Sequence, residues 1–292
     1  MKVNSYFSGA GLMDYGLYLG GLEIQQSFEI DRVCCDTLRQ NFSHEVICCD
    51  ITKKLVAAEK PCDVMTATYP CTRYSTIADI HGTRTGDELF LHFFRHVAIR
   101  KPEIYVIENV PGMKKFPVVM EAMTKLPDYY VSVFCPVNAS NWLPQNRARL
   151  IIIGAKRSFA WRSPEPLKRP VKLAHIIEKN PEIKIPDYFY RRLKSRGGYR
   201  DKPIISDPLK NDIAPTCVAH YSKDRSTRAV ADKRFPMGCR PYTVREYARL
   251  QGVPDSFKFA GTDLQAYKQI GNGVPVPVGE WIAKEIKRYK AA

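Results

Sequence analysis

Val3-Asn4-Ser5-Tyr6-Phe7-Ser8-Gly9-Ala10-Gly11 is the stretch whose reading decides the fold. Its apolar start predicts a strand over 3–7, Ser8 to Gly11 a turn, and the Leu12, Leu17, Leu19 pattern behind it a helix. Strand, glycine turn and helix in succession suit a nucleotide-like ligand. Glycine lets backbone approach the ligand, and the helix N-terminus offers free N–H groups. The full Gly-x-Gly-x-x-Gly spacing is missing, so pyrophosphate binding is not indicated.

Further along, strands are predicted over 24–28 and 46–49, each running into an acid: Glu29-Ile30-Asp31 after the first, Asp50-Ile51-Thr52 after the second. A carboxylate at the end of the second strand is placed for ribose hydroxyls, and one at the end of the third for the adenine side. Either acid alone reads equally well as a helix cap or a solvated carboxylate; together with the glycine turn they favour a nucleoside cofactor. Strands over 63–67, 104–107, 130–137 and 150–153 alternate with helical patterns, which predicts an α/β fold built on a doubly wound, mostly parallel sheet. From residue 156 to 241 prolines, arginines and tyrosines crowd together and the periodicity is lost, as in a small, irregular, β-rich domain. Helical patterns return over 243–250 and 281–288. The expected division is 1–156, 157–240 and a return to the first unit over 241–292.

Two elements carry chemistry. Tyr69-Pro70-Cys71-Thr72-Arg73-Tyr74-Ser75 forms a turn after one strand, and Glu108-Asn109-Val110 follows another. Ligands of open parallel sheets lie outside the carboxyl ends of the strands, so a thiol and a carboxyl group delivered there can share one site. The pair suits attack on an electron-poor ring, the thiolate adding while the acid handles a ring nitrogen. Alone, Cys71 reads as a buried inert thiol and Glu108 as a strand-end cap.

Composition narrows the classes. The 292 residues are 45% hydrophobic, enough for a sizeable core, and no apolar stretch approaches the roughly 20 residues of a membrane span. The N-terminus runs straight into a strand pattern, so no signal peptide is expected. Nine cysteines include the adjacent pairs Cys34-Cys35 and Cys48-Cys49 and no Cys-x-x-Cys, which favours reduced packing thiols in a cytoplasmic protein. The net charge of +15 is uneven: residues 157–240 hold 20 basic and 9 acidic residues, a surplus of +11. A localised basic surface points to a polyanion.

Taken together the motifs resemble those of the DNA (cytosine-5)-methyltransferase family, of prokaryotic or phage type, over nearly the whole chain and in that family's order. Phe7-Ser8-Gly9-Ala10-Gly11 looks like its first motif, Pro70-Cys71 like the nucleophile motif, and Glu108-Asn109-Val110 like the next catalytic one. Gln145-Asn146-Arg147-Ala148-Arg149 matches the Gln-x-Arg-x-Arg element. Arg240 to Glu246 with Leu250-Gln251-Gly252 resembles the ninth motif, and Gln269-Ile270-Gly271-Asn272-Gly273-Val274 the last. The resemblance implies a Rossmann-like S-adenosylmethionine-dependent sheet, with residues 157–240 as the target-recognition domain. It implies methyl transfer to carbon 5 of a cytosine flipped out of duplex DNA. Cys71 is then the nucleophile, Glu108 the acid at the ring nitrogen and exocyclic amine, and Arg149, with Arg147, a further catalytic residue. The cofactor falls to Phe7, Ser8, Gly9, Gly11, Glu29, Asp50, Ile51, Pro70, Asn272 and Val274. DNA contacts fall to Arg73, Ser75, Gln145, Thr216, Arg225 and Arg228. A monomer, no membrane, no metal and a cognate restriction endonuclease complete the implication.

The chain departs from that pattern where Thr72 and Arg73 stand in place of the usual Gln and smaller residue. Arg73 is therefore expected at a phosphate or in the gap left by the flipped base. Two alternatives stand beside this reading. An RNA methyltransferase of the tRNA-modifying branch usually carries a Cys-Phe-Thr element, to which Pro215-Thr216-Cys217-Val218 is the nearest and not a match. A catalytically silent DNA-binding protein would have lost the cysteine or the glutamate, and this chain keeps both.

Overall fold

The computed structural model describes residues 1–70, 89–194 and 203–292. Seven strands form one sheet: β1 (Lys2–Tyr6), β2 (Glu23–Glu29), β3 (Glu45–Cys48), β4 (Val64–Ala67), β5 (Ile104–Asn109), β6 (Tyr130–Asn138) and β7 (Ala148–Ala155). Their order is β3-β2-β1-β4-β5-β7-β6. The first five run parallel, and β7 is antiparallel to both β5 and β6. The strand order reverses between β1 and β4, the point at which doubly wound sheets open a crevice for a ligand. The expected α/β class holds.

β5 shows why the sheet is buried on both faces. Ile104 and Val106 point into one apolar layer, Tyr105 and Ile107 into the other, in the strand's two-residue period. The first layer is closed by α1 (Leu12–Leu19) and α8 (Val276–Ala291), the second by α3 (Leu89–Arg100) and α4 (Pro117–Thr124). α2 (Arg32–Asn41) starts with Asp31 accepting the Val33 N–H at its N-cap.

Past β7 the chain does not enter a separate unit at once. Phe159 and Trp161 pack on Tyr289 of α8, and Trp281 donates to the Arg162 carbonyl. Arg157 and Arg162 are thereby held to α8, at the back of the large sheet. The smaller sheet is β8 (Ile204–Ser206), β9 (Arg228–Ala231) and β10 (Cys239–Arg240), in the order β10-β9-β8, with α5 (Asp187–Lys194) against it. Arg240 is fully buried and locks this sheet to α6 (Val244–Arg249). It forks onto both carboxylate oxygens of Glu246 at 2.7 Å and donates to Asp232 at 2.9 Å. Thr243 and Glu246 form a capping box, as do Thr262 and Gln265 ahead of α7 (Asp263–Asn272). Of the cysteines expected to be packing thiols, Cys34 and Cys35 are buried but Cys48 is exposed, because β3 is the edge of its sheet.

α1 and α8 cross where Gly16 faces Gly279. A β-carbon on Gly16 would lie 2.2 Å from the Val276 carbonyl oxygen, and one on Gly279 2.7 Å from that of Met13. Gly16→Ala should therefore separate the helices and destabilise the fold by about 1–3 kcal/mol. Urea denaturation is the check, and an unchanged midpoint would mean the crossing is looser than described.

Candidate active site

At the carboxyl ends of β1, β2, β4 and β5 lies a cavity of about 400 Å³, the size of a small-molecule site. Its floor begins with the turn after β1. Phe7 has φ 57°, a left-handed conformation that side chains seldom adopt, and Thr68 Oγ1 steadies it by donating to the Phe7 carbonyl at 2.7 Å. Gly11 (φ 79°) precedes α1, where no side chain caps the helix, so N–H groups of its first turn remain for a ligand. Ser8 and Gly9 line the cavity; Gly11 does not, and sets the turn from behind.

Glu29 stands at the end of β2. One carboxylate oxygen accepts the Gly9 N–H at 2.7 Å, the other the N–H groups of Ile30 and Asp31 at 2.9 and 2.8 Å. Burial pushes its carboxyl above the ordinary range, against the pull of these donors. The first oxygen, with one donor, keeps lone-pair capacity for a ligand, while the second already accepts two. Asp50 accepts the Thr52 N–H and hydroxyl, and the hydroxyl bond holds its carboxyl below the ordinary range. Ile51 beside it is buried, and Arg95 of α3 donates to its carbonyl at 3.1 Å.

The opposite wall comes from β4, β5 and β7. Pro70 lines the cavity at the end of the described segment, and Asn109 Nδ2 donates to the Tyr69 carbonyl just before it at 3.2 Å. Cys71, Arg73 and Ser75 lie outside the described residues. Glu108 pairs with Ile151 across the antiparallel ladder, so Arg149, two residues before Ile151, is its diagonal neighbour on the same face. Arg149 Nε donates to Glu108 Oε1 at 2.7 Å, with both side chains about nine-tenths buried. Burial raises the Glu108 carboxyl above the ordinary range, and Arg149, then Arg147, oppose the rise. Asn272 and Val274 close the rim from the end of α7.

Other expected site residues are placed elsewhere. Arg147 does not line the cavity. Its buried guanidinium donates to the carbonyls of Cys217, Gly271 and Gly273, the last two at 3.0 and 2.7 Å. Gln145, expected at DNA, is fully buried: it donates to the Leu250 carbonyl and Gln251 and accepts the Cys217 N–H. Both residues brace the chain, because β7 begins only at Ala148 and the segment before it passes under the Thr216 turn. Thr216 donates to the Asn146 carbonyl at 2.6 Å, and Arg228 Nε donates to the Thr216 carbonyl at 2.7 Å. Arg225 is half-buried and lies against Tyr267. Thr68, Asn109 and Lys268 were not among the expected site residues. For Asn109 the signal was its place inside Glu108-Asn109-Val110.

The chain matches the family model described as C-5 cytosine-specific DNA methylase over residues 1–288. It is 29% identical to the Type II methyltransferase M.NlaX of Neisseria lactamica, covering 100% of this chain and 97% of that protein. It is 30% identical to the Type II methyltransferase M.HpaII of Haemophilus parainfluenzae, over 77% of this chain and 71% of the other. The fold superposes on that of the methyltransferase EhMeth of Entamoeba histolytica with a TM-score of 0.83 at 17% identity, covering 99% and 98% of the two chains.

The position of Arg147 has a direct test. Arg147→Met would strand the buried carbonyls of Cys217 and Gly271, since that of Gly273 keeps the Gln251 amide at 3.1 Å, at about 1–3 kcal/mol for each acceptor left unsatisfied. The expected result is a clear drop in the unfolding midpoint, read by circular dichroism. A variant that melts like the parent but loses turnover would return Arg147 to the reacting base.

Proposed function

The chain belongs to the C-5 cytosine-specific DNA methylase family and is by class a DNA (cytosine-5-)-methyltransferase, and from that premise we propose that it uses S-adenosylmethionine to methylate a flipped-out cytosine through a covalent adduct on Cys71. The observation that carries the proposal is the buried Glu108–Arg149 pair on the wall that Pro70 joins, one residue before the cysteine.

The cavity fits that cofactor. The uncapped start of α1 supplies N–H donors, Glu29 and Asp50 offer acceptors at the ends of two adjacent strands, and Phe7, Ile51 and Val274 give apolar walls. When bound, the cofactor supplies an electrophilic methyl group. Glu29 is assigned to the ribose hydroxyls, Asp50 and Ile51 to the adenine side, and Phe7, Ser8, Gly9, Pro70, Asn272 and Val274 to the remaining contacts.

The protein's own contribution is to make carbon 5 of cytosine nucleophilic. The Cys71 thiolate adds to carbon 6, and electron density moves onto the ring. Glu108 in its acid form hydrogen-bonds ring nitrogen 3 and steadies that density, while its carbonyl oxygen accepts from the exocyclic amine. Arg149 holds Glu108 through Nε and donates to the Ala148 carbonyl through Nη1 at 2.7 Å, which leaves Nη2 for the carbonyl on carbon 2. After methyl transfer, loss of the carbon 5 proton expels the thiolate. A stacked base cannot reach a site this deep, so the target nucleotide leaves the helix. The basic recognition segment, with Thr216, Arg225 and Arg228 among its candidate contacts, is assigned to duplex DNA, and so are Arg73 and Ser75 of the turn that carries Cys71. The Type II designation of the relatives supports a cognate restriction endonuclease as the partner activity.

Cys71→Ser should abolish turnover and leave cofactor binding intact, because a hydroxyl has no accessible anion at neutral pH. Duplex DNA with 5-fluorocytosine at the target should trap the parent as a covalent complex, since fluorine cannot depart as a proton. Adduct formation by Cys71→Ser, scored on a denaturing gel, would assign the nucleophile elsewhere.

Glu108→Gln should slow single-turnover methylation by at least about a hundredfold. The raised carboxyl pKa keeps the acid form to higher pH than an ordinary glutamate, so the parent rate should fall as pH rises through that value. The variant, which has no proton to lose there, should lack this alkaline limb. The same limb in both proteins would mean another group titrates.

A further inference from the structure

Six charged side chains line the cavity among the described residues: Glu29, Asp31, Asp50 and Glu108 against Arg149 and Lys268. Arg149 is held by Glu108. Lys268 is held from outside the reacting centre, its ammonium 3.1 Å from Asp31 Oδ2, and its side chain is 54% exposed. The other oxygen of Asp31 caps α2 through the Val33 N–H at 3.0 Å, so the cap does not depend on Lys268.

Lys268 is not a wandering surface lysine. It stands four residues before Asn272, on the same face of α7, and both line the cavity. α7 is fixed on two sides. Thr37 of α2 donates to Gln269 at 2.6 Å, and Gly271 packs so tightly that a β-carbon there would lie 2.2 Å from the Val218 carbonyl carbon. The base of the Lys268 stem is therefore set relative to the cavity, while the ammonium can swing from Asp31 inward.

The proposed cofactor carries an α-carboxylate at the end remote from adenine. With Glu29 and Asp50 assigned to the nucleoside, that end would fall to the rest of the lining, which includes the uncapped start of α1, Asn272 and Lys268. A carboxylate entering a wall with four carboxylates needs a cation. We propose that Lys268 is the counter-ion of the cofactor's carboxylate and exchanges Asp31 for it on binding. The inference rests on the cofactor reading given above.

Titration calorimetry on the full chain without DNA separates the two. S-adenosylmethionine and its decarboxylated analogue are compared on the parent, Lys268→Met, Lys268→Arg and Asp31→Asn. In Lys268→Met the affinity for S-adenosylmethionine should fall about tenfold, as for one charge-assisted hydrogen bond, with the decarboxylated analogue little changed. Lys268→Arg should restore most of the loss. Asp31→Asn keeps the cap of α2 and frees the ammonium, so it should bind S-adenosylmethionine at least as tightly as the parent. Equal weakening of both ligands in Lys268→Met would overturn the proposal and leave Lys268 as a tie between α7 and α2. A parent that binds neither ligand would overturn the cofactor reading itself, and this inference with it.

Discussion

A single guanidinium gathers three distant parts of the chain. Arg147 leaves the approach to β7 and donates to carbonyls of the Cys217 turn and of the Gly271–Gly273 end of α7. Carbonyls at a helix end have no intrahelical donor, and a buried turn has none from water. One planar fork satisfies both groups at once, which a lysine ammonium could not do with the same geometry. The consequence is positional. Asn272, on the cavity rim, and Thr216, against the approach to β7, are both referred to the strand that carries Arg149. Gln145 and Gln251 repeat the device beside it with neutral partners.

The second constraint is electrostatic. A buried ion pair is a poor source of stability, because desolvating two charges cancels much of their attraction. The Glu108–Arg149 pair is better understood through what it does to the carboxyl group. Burial drives the acid form and Arg149 resists, so the carboxyl lies above the ordinary range while still holding a charged partner. Glu29 shows the same opposition with backbone N–H groups in place of arginine. At both positions the fold desolvates an acid and then supplies donors that stop short of neutralising it.

Much of this was legible in the residue order. The strand–turn–helix at the start, the acids ending two strands and the Glu108-Asn109-Val110 element depend on local periodicity, and local periodicity survives without coordinates. Arg149 was legible only through the Gln-x-Arg-x-Arg element, since the strand expected over 150–153 stopped short of it; β7 in fact begins at Ala148 and puts Arg149 on the face of Ile151. Arg147 and Gln145 were not. Alternation would put Arg147 on the face of Arg149, but the strand starts between them, and the partners of both lie 70 residues or more away. Lys268 was hidden by its ordinariness, a lysine on an amphipathic helix, and only the meeting of α7 with the Asp31 turn distinguishes it. Residues 157–162 are similar: charge groups them with the basic segment, whereas Phe159 and Trp161 hold them to α8.

The closing of α8 over α1 has a consequence for the protein as it is made. Phe7 and Val274 line one cavity, yet they stand at opposite ends of the chain, and the helix that presses the second against the first follows it. A nascent chain still threaded on the ribosome would hold Glu29 and Asp50 in place on their strands while one wall of the pocket was missing. The cavity as described is therefore complete only once α7 and α8 have joined the sheet.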